Sequence, residues 1–117
     1  MVQEAYDVIN QFVQGVKMQL GSHIQNIILY GSYARGWEKG NSDIDILLLV
    51  DLTNKEIKKI QNDVYDLAFE LELASGRDIS PVIINSVQFN YWKDTLPFYY
   101  NYRKGRASFI WHKRNMI

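Results

Sequence analysis

The sequence predicts a small α/β or α+β domain. Apolar residues recur with helical spacing in two long stretches, and short β-branched runs lie beside and between them. The resulting element order is helix, strand, strand, helix, strand, helix. The 117 residues are 47% hydrophobic, so a single domain over residues 1–117 with one modest core is expected.

The first half of the chain predicts one helix and two strands. Apolar residues three and four apart predict an amphipathic helix over about residues 3–20, which Gly21 ends. The apolar, β-branched residues 24–30 predict a strand. Residues 44–50 are apolar at every position but one, which predicts a strand covered on both faces in the centre of the sheet.

The second half begins with a helix over about residues 55–74, which Thr53 or Asn54 can cap. This helix has an apolar stripe that would pack on the sheet. Residues 78–85 predict a third strand. Pro81 restricts that strand to an edge or bulged position, because proline has no N–H to donate.

The last part of the chain is rich in aromatic side chains. Ser86 can cap a short helix, and the whole segment predicts one or two short helices. The aromatic side chains are expected mainly to complete the core, with some left exposed as a surface for docking a protein. They are Tyr91, Trp92, Phe98, Tyr99, Tyr100, Tyr102, Phe109 and Trp111.

Composition excludes several classes of function. Thirteen basic and 13 acidic side chains give no net charge, which does not favour a nucleic-acid partner. The absence of cysteine excludes disulfides and thiolate metal sites. The longest apolar run, residues 46–50, is too short to span a bilayer, and no signal-like leader opens the chain. A cytoplasmic protein with no membrane partner is predicted.

Two aspartates lie at the start of the predicted second strand. Residues two apart on a strand point to the same face, so Asp43 and Asp45 are expected to project side by side. Two carboxylates held this close repel each other unless a cation lies between them. Mg²⁺ suits such a pair, because it prefers carboxylate oxygens and leaves room for substrate phosphates. Taken alone, an Asp-x-Asp is also typical of a solvated strand end.

Gly31 and Ser32 follow the predicted first strand and suit a phosphate group. Glycine lets the backbone approach a ligand closely, and exposed N–H groups at a turn can bind phosphate. Ser32 adds a hydroxyl donor. Taken alone, Gly-Ser is an ordinary turn. Together with the aspartate pair on the neighbouring strand, it predicts a site for a metal-bound nucleoside triphosphate.

The stretch from Gly31 to Asp45 has the form Gly-Ser-x-Ala-Arg-Gly followed by Ser-Asp-Ile-Asp. It resembles the nucleotidyltransferase superfamily that includes DNA polymerase beta, and the short chain is similar to the minimal branch of MntA-type antitoxins. The resemblance implies a mixed sheet with helices packed on it, the nucleotidyltransferase fold. It also implies Mg²⁺-dependent transfer of a nucleoside monophosphate, with two Mg²⁺ ions and ATP as the expected donor.

The resemblance also implies roles for individual residues. Gly31 and Ser32 would hold the triphosphate, and Asp43 and Asp45 would bind the metal ions. Asp78, before the third predicted strand, would be the third carboxylate and could act as general base. Otherwise it is a residue of the turn between helix and strand.

Two arginines accompany these residues. Arg35, in the motif, would contact phosphate or tie the loop to an acidic partner. Arg77 stands where the family usually has an apolar residue. It could pair with Asp78, contact a phosphate or face water.

Members of the minimal branch are commonly paired with a small all-helical HEPN-type toxin, which they adenylylate. The resemblance therefore implies an antitoxin that transfers AMP to a partner protein. A non-catalytic antitoxin and a transferase for a small molecule such as an aminoglycoside are the alternatives. The acceptor, the preferred base and the oligomeric state, including a homo-oligomer, remain open.

Overall fold

Seven helices and strands and one 3₁₀ turn make up the part of the chain that the computed structural model describes, residues 3–30, 43–92 and 107–112. They are α1 (Gln3–Leu20), the 3₁₀ turn (Gly21–His23), β1 (Ile24–Tyr30), β2 (Ile44–Val50), α2 (Asn54–Ser75), β3 (Ile79–Asn85), α3 (Ser86–Trp92) and β4 (Ala107–His112). The predicted helices and strands up to residue 85 are confirmed to within about one residue at each end.

The four strands form one mixed sheet in the order β3-β2-β1-β4. β1 pairs antiparallel with β2 and with β4, whereas β2 and β3 run parallel. The central position predicted for β2 and the edge position that Pro81 predicted for β3 are both confirmed. The mixed sheet that the resemblance implied is confirmed as well.

The prediction of helices alone after Ser86 was wrong in part. α3 is the predicted short helix, but Ala107–His112 form a strand on the free side of β1. Ala107 lies opposite Tyr30, far away along the sequence. Pairing with β1, which is distant along the chain, makes this segment a strand, and the local sequence pattern does not reveal that pairing.

The two faces of the sheet carry two separate apolar clusters. α1 and α2 cover one face, where Phe12 and Val64 pack with Ile46 and Leu48 among others. α3 covers the other face through Phe89. That smaller cluster is completed by Ile28, Leu47 and Leu49, with Tyr30, Val82 and Ile84 packed against it.

Both ends of α2 are fixed by local hydrogen bonds. At the start, Glu56 N–H donates to Thr53 Oγ1 (3.1 Å) and Thr53 N–H donates to Glu56 Oε1 (3.0 Å), a capping box. At the end, Gly76 adopts a left-handed conformation (φ 76°) and its N–H donates to Glu72 O (2.7 Å). The cap predicted at Thr53 is confirmed. This termination sets the point at which the chain leaves α2 and reaches Asp78.

Across residues 3–30, 43–92 and 107–112, the structure contains no helix that is both long and apolar enough to cross a membrane.

Candidate active site

Three aspartates lie at the same end of the two parallel strands. Asp43 immediately precedes β2, Asp45 is its second residue, and Asp78 immediately precedes β3. Ile44 lies opposite Ile79, and the Ile44 N–H donates to Asp78 O at 2.8 Å. The parallel register therefore brings Asp78 level with the Asp-x-Asp pair.

Alternation along the strands assigns the aspartates to the α3 face. On β2, Leu47 belongs to the cluster around Phe89, so Asp45 shares that face, and Asp43 continues the alternation just before the strand. On β3, Val82 packs against the same cluster, and Asp78 stands four residues before it. The prediction that Asp43 and Asp45 share a face agrees with this arrangement.

The three carboxyl groups interact electrostatically. Partial burial raises the pKa of Asp45, and the negative charges of Asp43 and Asp78 raise it further. The pKa of Asp78 is also raised, by desolvation, by the charge of Asp43 and by a hydrogen bond that the protonated Asp78 carboxyl donates to Asp43. The surroundings therefore disfavour the charged forms of Asp45 and Asp78, and a bound cation would relieve this.

Tyr30 is a residue of this site that sequence reasoning missed. It is the last residue of β1, it lies opposite Asp45, and its half-buried ring packs against the cluster around Phe89. Burial, and then the charge of Asp45, raise the pKa of the Tyr30 phenol. Its position directly before Gly31 could have pointed to it. However, only the antiparallel register of β1 and β2 shows that Tyr30 lies opposite Asp45.

The predicted phosphate-binding residues Gly31, Ser32 and Arg35 lie outside the described residues, so their roles stay predictions. Arg77 is half-buried, and its backbone N–H donates to Ser75 Oγ at 3.0 Å.

His23, which was not predicted to be functional, lies at the opposite end of the sheet. Its Nδ1 is 2.8 Å from Asp51 Oδ1, and both side chains are about half exposed. This pair is separate from the three aspartates, and surface ion pairs of this kind contribute little to stability.

The donor chemistry of the aspartates fits a hard divalent cation. Three carboxylates supply oxygen ligands, and their mutual repulsion is the condition that bound Mg²⁺ relieves. In the described ranges, no three His, Asp or Glu side chains are already arranged as a metal site.

Comparison with known protein families shows which family the chain belongs to. The nucleotidyltransferase domain family matches residues 9–108, which include β1, β2, β3 and all three aspartates. The chain belongs to the nucleotidyltransferase domain family. The enzyme class predicted from the Gly31 to Asp45 motif is therefore confirmed at the level of the family.

The chain is also similar to proteins of Methanocaldococcus jannaschii that are provisionally named protein adenylyltransferases. One is 31% identical over 78 residues, which is 67% of this chain and 53% of that protein. Another is 37% identical over 82 residues, 70% of this chain and 75% of that protein. The match thus spans about half the length of the first relative and three quarters of the second.

Solved structures share the fold at low sequence identity. A toxin–antitoxin crystal structure with AMP-PNP is 22% identical, with a TM-score of 0.52 over 97% of this chain and 77% of that chain. A spectinomycin adenyltransferase from Enterococcus faecialis, with ATP and spectinomycin, is 17% identical, with a TM-score of 0.55 over 89% of this chain and 48% of that chain. These neighbours establish the nucleotidyltransferase fold.

Proposed function

We propose that this chain is a Mg²⁺-dependent adenylyltransferase that moves AMP from ATP to a hydroxyl group on a partner protein. The observation that carries the proposal is the convergence of Asp43, Asp45 and Asp78 at one end of the parallel strands, with mutually coupled charges. A carboxylate set of this kind on a nucleotidyltransferase fold suits a metal-bound triphosphate.

The comparisons support the substrate class. The relatives from Methanocaldococcus jannaschii are named for transfer of adenylyl groups to protein. One structural neighbour carries AMP-PNP and another carries ATP. An adenine nucleotide is common to these names, and the relatives from Methanocaldococcus jannaschii add a protein acceptor. The proposal extends both to this chain.

Within the proposed site, Asp43, Asp45 and Asp78 would hold the metal ions. Bound Mg²⁺ would supply charge stabilisation at the attacking and leaving oxygens. Gly31 and Ser32, directly after β1, would hold the triphosphate through N–H and hydroxyl donors. Asp78 would lie beside the acceptor hydroxyl and would accept its proton.

The transfer itself is a displacement at phosphorus. The acceptor oxygen forms a bond to the α-phosphorus of ATP, and the bond from that phosphorus to the bridging oxygen breaks. Pyrophosphate leaves with the bonding electrons, and the hydroxyl proton passes to Asp78. In-line alignment of acceptor and leaving group is the main contribution required of the protein.

We further propose that the acceptor is a small all-helical HEPN-type toxin and that this chain is its antitoxin, acting in the cytoplasm. Two structural neighbours are toxin–antitoxin complexes, one of them of MntA and HpeT in a mutant form, with a TM-score of 0.50. A partner of this kind would present the acceptor hydroxyl.

Labelled ATP and Mg²⁺ test this function. The protein is incubated with α-labelled ATP alone and with the product of the neighbouring gene, and the products are separated into protein, RNA and small molecules. Label on the partner protein supports the proposal. Label on RNA or a small molecule would replace the proposed acceptor, and a partner neutralised without label would establish a non-catalytic antitoxin instead.

The chain offers a matched control for this experiment. Asp51 directly follows β2 at the end opposite Asp43 and Asp45, and its side chain pairs with His23. Asp51→Asn removes one carboxylate next to the other end of the same strand without touching the proposed site. Labelling is expected to persist in Asp51→Asn and to disappear in Asp45→Asn.

A further inference from the structure

The outward face of α2 carries an apolar ridge. Tyr65, Phe69 and Leu73 are 42%, 58% and 72% exposed, and they follow one another at intervals of four residues. That interval places them along a single ridge. Val64 and Ala68, which are buried, define the opposite side of the helix that packs on the sheet. The ridge therefore contributes nothing to the core.

A row of carboxylates runs beside this ridge. Asp66 and Glu70 each follow a ridge residue by one position, and Asp63 continues the row toward the start of the helix. Residues 60–75 contain no lysine or arginine. The last turn of a helix favours cations, so helix stability does not explain this excess of negative charge.

The carboxylates also form one wall of a groove between α1 and α2. The two helices approach closely where Gly15 faces Leu67, at a position where any Cβ would overlap the leucine. The groove has a volume of about 310 Å³. Its lining consists of Gln19, Asp63, Asp66, Leu67 and Glu70. A lysine or arginine side chain of a partner could meet a carboxylate in this groove.

We propose that the second half of α2 is a docking surface for a partner protein that presents an apolar helix flanked by lysine or arginine. The ridge supplies apolar area, and the carboxylate row beside it sets the charge of the partner. We name this surface, formed by Tyr65, Phe69, Leu73, Asp66 and Glu70, the α2 ridge. Binding of a partner to this surface does not require a transfer reaction.

A second copy of the chain does not fit the α2 ridge. Two antiparallel copies match their apolar residues only when Phe69 lies opposite Phe69 of the other copy. That register places Leu73 opposite Tyr65 and brings Asp66 and Glu70 beside the same two carboxylates of the other helix. Like charges facing each other across an interface are unfavourable, so the charge pattern favours a cationic, different partner.

The position of the α2 ridge connects it to the candidate active site. Leu73 lies in the last turn of α2, Gly76 ends the helix, and Asp78 follows at the start of β3. A partner bound along the ridge would therefore extend toward the end of the helix that leads into the three aspartates.

Fluorescence anisotropy with two labelled helical peptides tests the proposal. Both carry the same leucine stripe, and the stripe is flanked by lysine in one peptide and by glutamate in the other. The full chain should bind the lysine peptide, and Phe69→Ser should weaken that binding at least about tenfold, as truncation of a central aromatic contact does. Asp66→Lys combined with Glu70→Lys should weaken the lysine peptide and strengthen the glutamate peptide.

Val87→Ser is the matched control, because Val87 is 75% exposed but lies on α3. Equal binding of both peptides, or loss of binding in Val87→Ser alone, would overturn the proposal. Sedimentation of the free protein tests whether a second copy of the chain occupies the ridge instead. A dimer that Phe69→Ser converts to monomer would mean that a second copy covers the ridge. Thermal melts of each variant check that the exposed substitutions leave the fold intact.

Discussion

At the scale of single residues, Asp45 is a carboxylate whose surroundings disfavour its charge. It is half-buried on β2, with Asp43 two residues before it and Asp78 on the neighbouring strand. Burial and both neighbouring charges raise its pKa. A cation bound at the proposed site would relieve this unfavourable charge.

The pH dependence of stability follows from this raised pKa. The native protein binds a proton at Asp45 more readily than the unfolded chain does, so this contribution is present below the ordinary pKa of about 4 and is lost as pH rises. We expect Asp45→Asn to melt at a higher temperature than the wild type at pH 7 without divalent ions. The difference should shrink toward pH 4. A variant that melts lower than the wild type at pH 7 would contradict the coupling.

Ser32 is predicted to contribute a single hydroxyl contact to the triphosphate. Ser32→Ala should leave the backbone N–H groups in place, so the loss of activity should be smaller than in Asp43→Asn. One hydrogen bond to a charged group corresponds to roughly 1.5–3 kcal/mol, about a ten- to hundredfold loss in kcat/KM. Steady-state kinetics with varied ATP concentration measures this loss in kcat/KM. A loss as complete as that of Asp43→Asn would assign the serine a larger role.

Only part of this site could be predicted from the sequence. The shared face of Asp43 and Asp45 follows from their spacing on one strand. The place of Asp78 could not be derived from spacing, because it depends on the parallel register of β2 and β3. Tyr30 was missed for the same reason, since the antiparallel register of β1 places it opposite Asp45.

At the scale of elements, local signals decided where helices and strands begin and end. The capping residue Thr53, the terminating Gly76 and the apolar run of β2 each act within a few residues, so their effect is visible in the sequence. β4 was missed because its strand state depends on pairing with β1, from which it is separated by most of the chain.

Gly76 gives a stability prediction at this scale. Its φ of 76° lies in the left-handed region, where a Cβ costs about 1 kcal/mol or more. Gly76→Ala should therefore lower the free energy of unfolding by about 1 kcal/mol in urea titrations. Gly76→Asn should lose less, because asparagine tolerates this conformation. If the two variants lose equally, the left-handed cap is not the cause.

At the scale of the whole molecule, sheet topology joins residues that are distant in sequence. α2 connects β2 to the parallel strand β3, and this crossover brings Asp78 beside Asp43. The antiparallel pairing of β1 with β2 brings Tyr30, the residue before Gly31 in the sequence, to the same end of the sheet. The same helix also carries the α2 ridge on its outer side, so the element that assembles the site also offers a surface for a partner.

Intact-mass spectrometry of the protein with its neighbouring gene product, ATP and Mg²⁺ tests the central claim most directly. The partner should gain the mass of one or more AMP units with the wild type and with Asp51→Asn. It should gain none with Asp43→Asn or Asp45→Asn, or when EDTA removes the metal. A partner that gains AMP equally with the Asp43 and Asp45 variants, or in the presence of EDTA, would contradict a metal-dependent site built on these carboxylates.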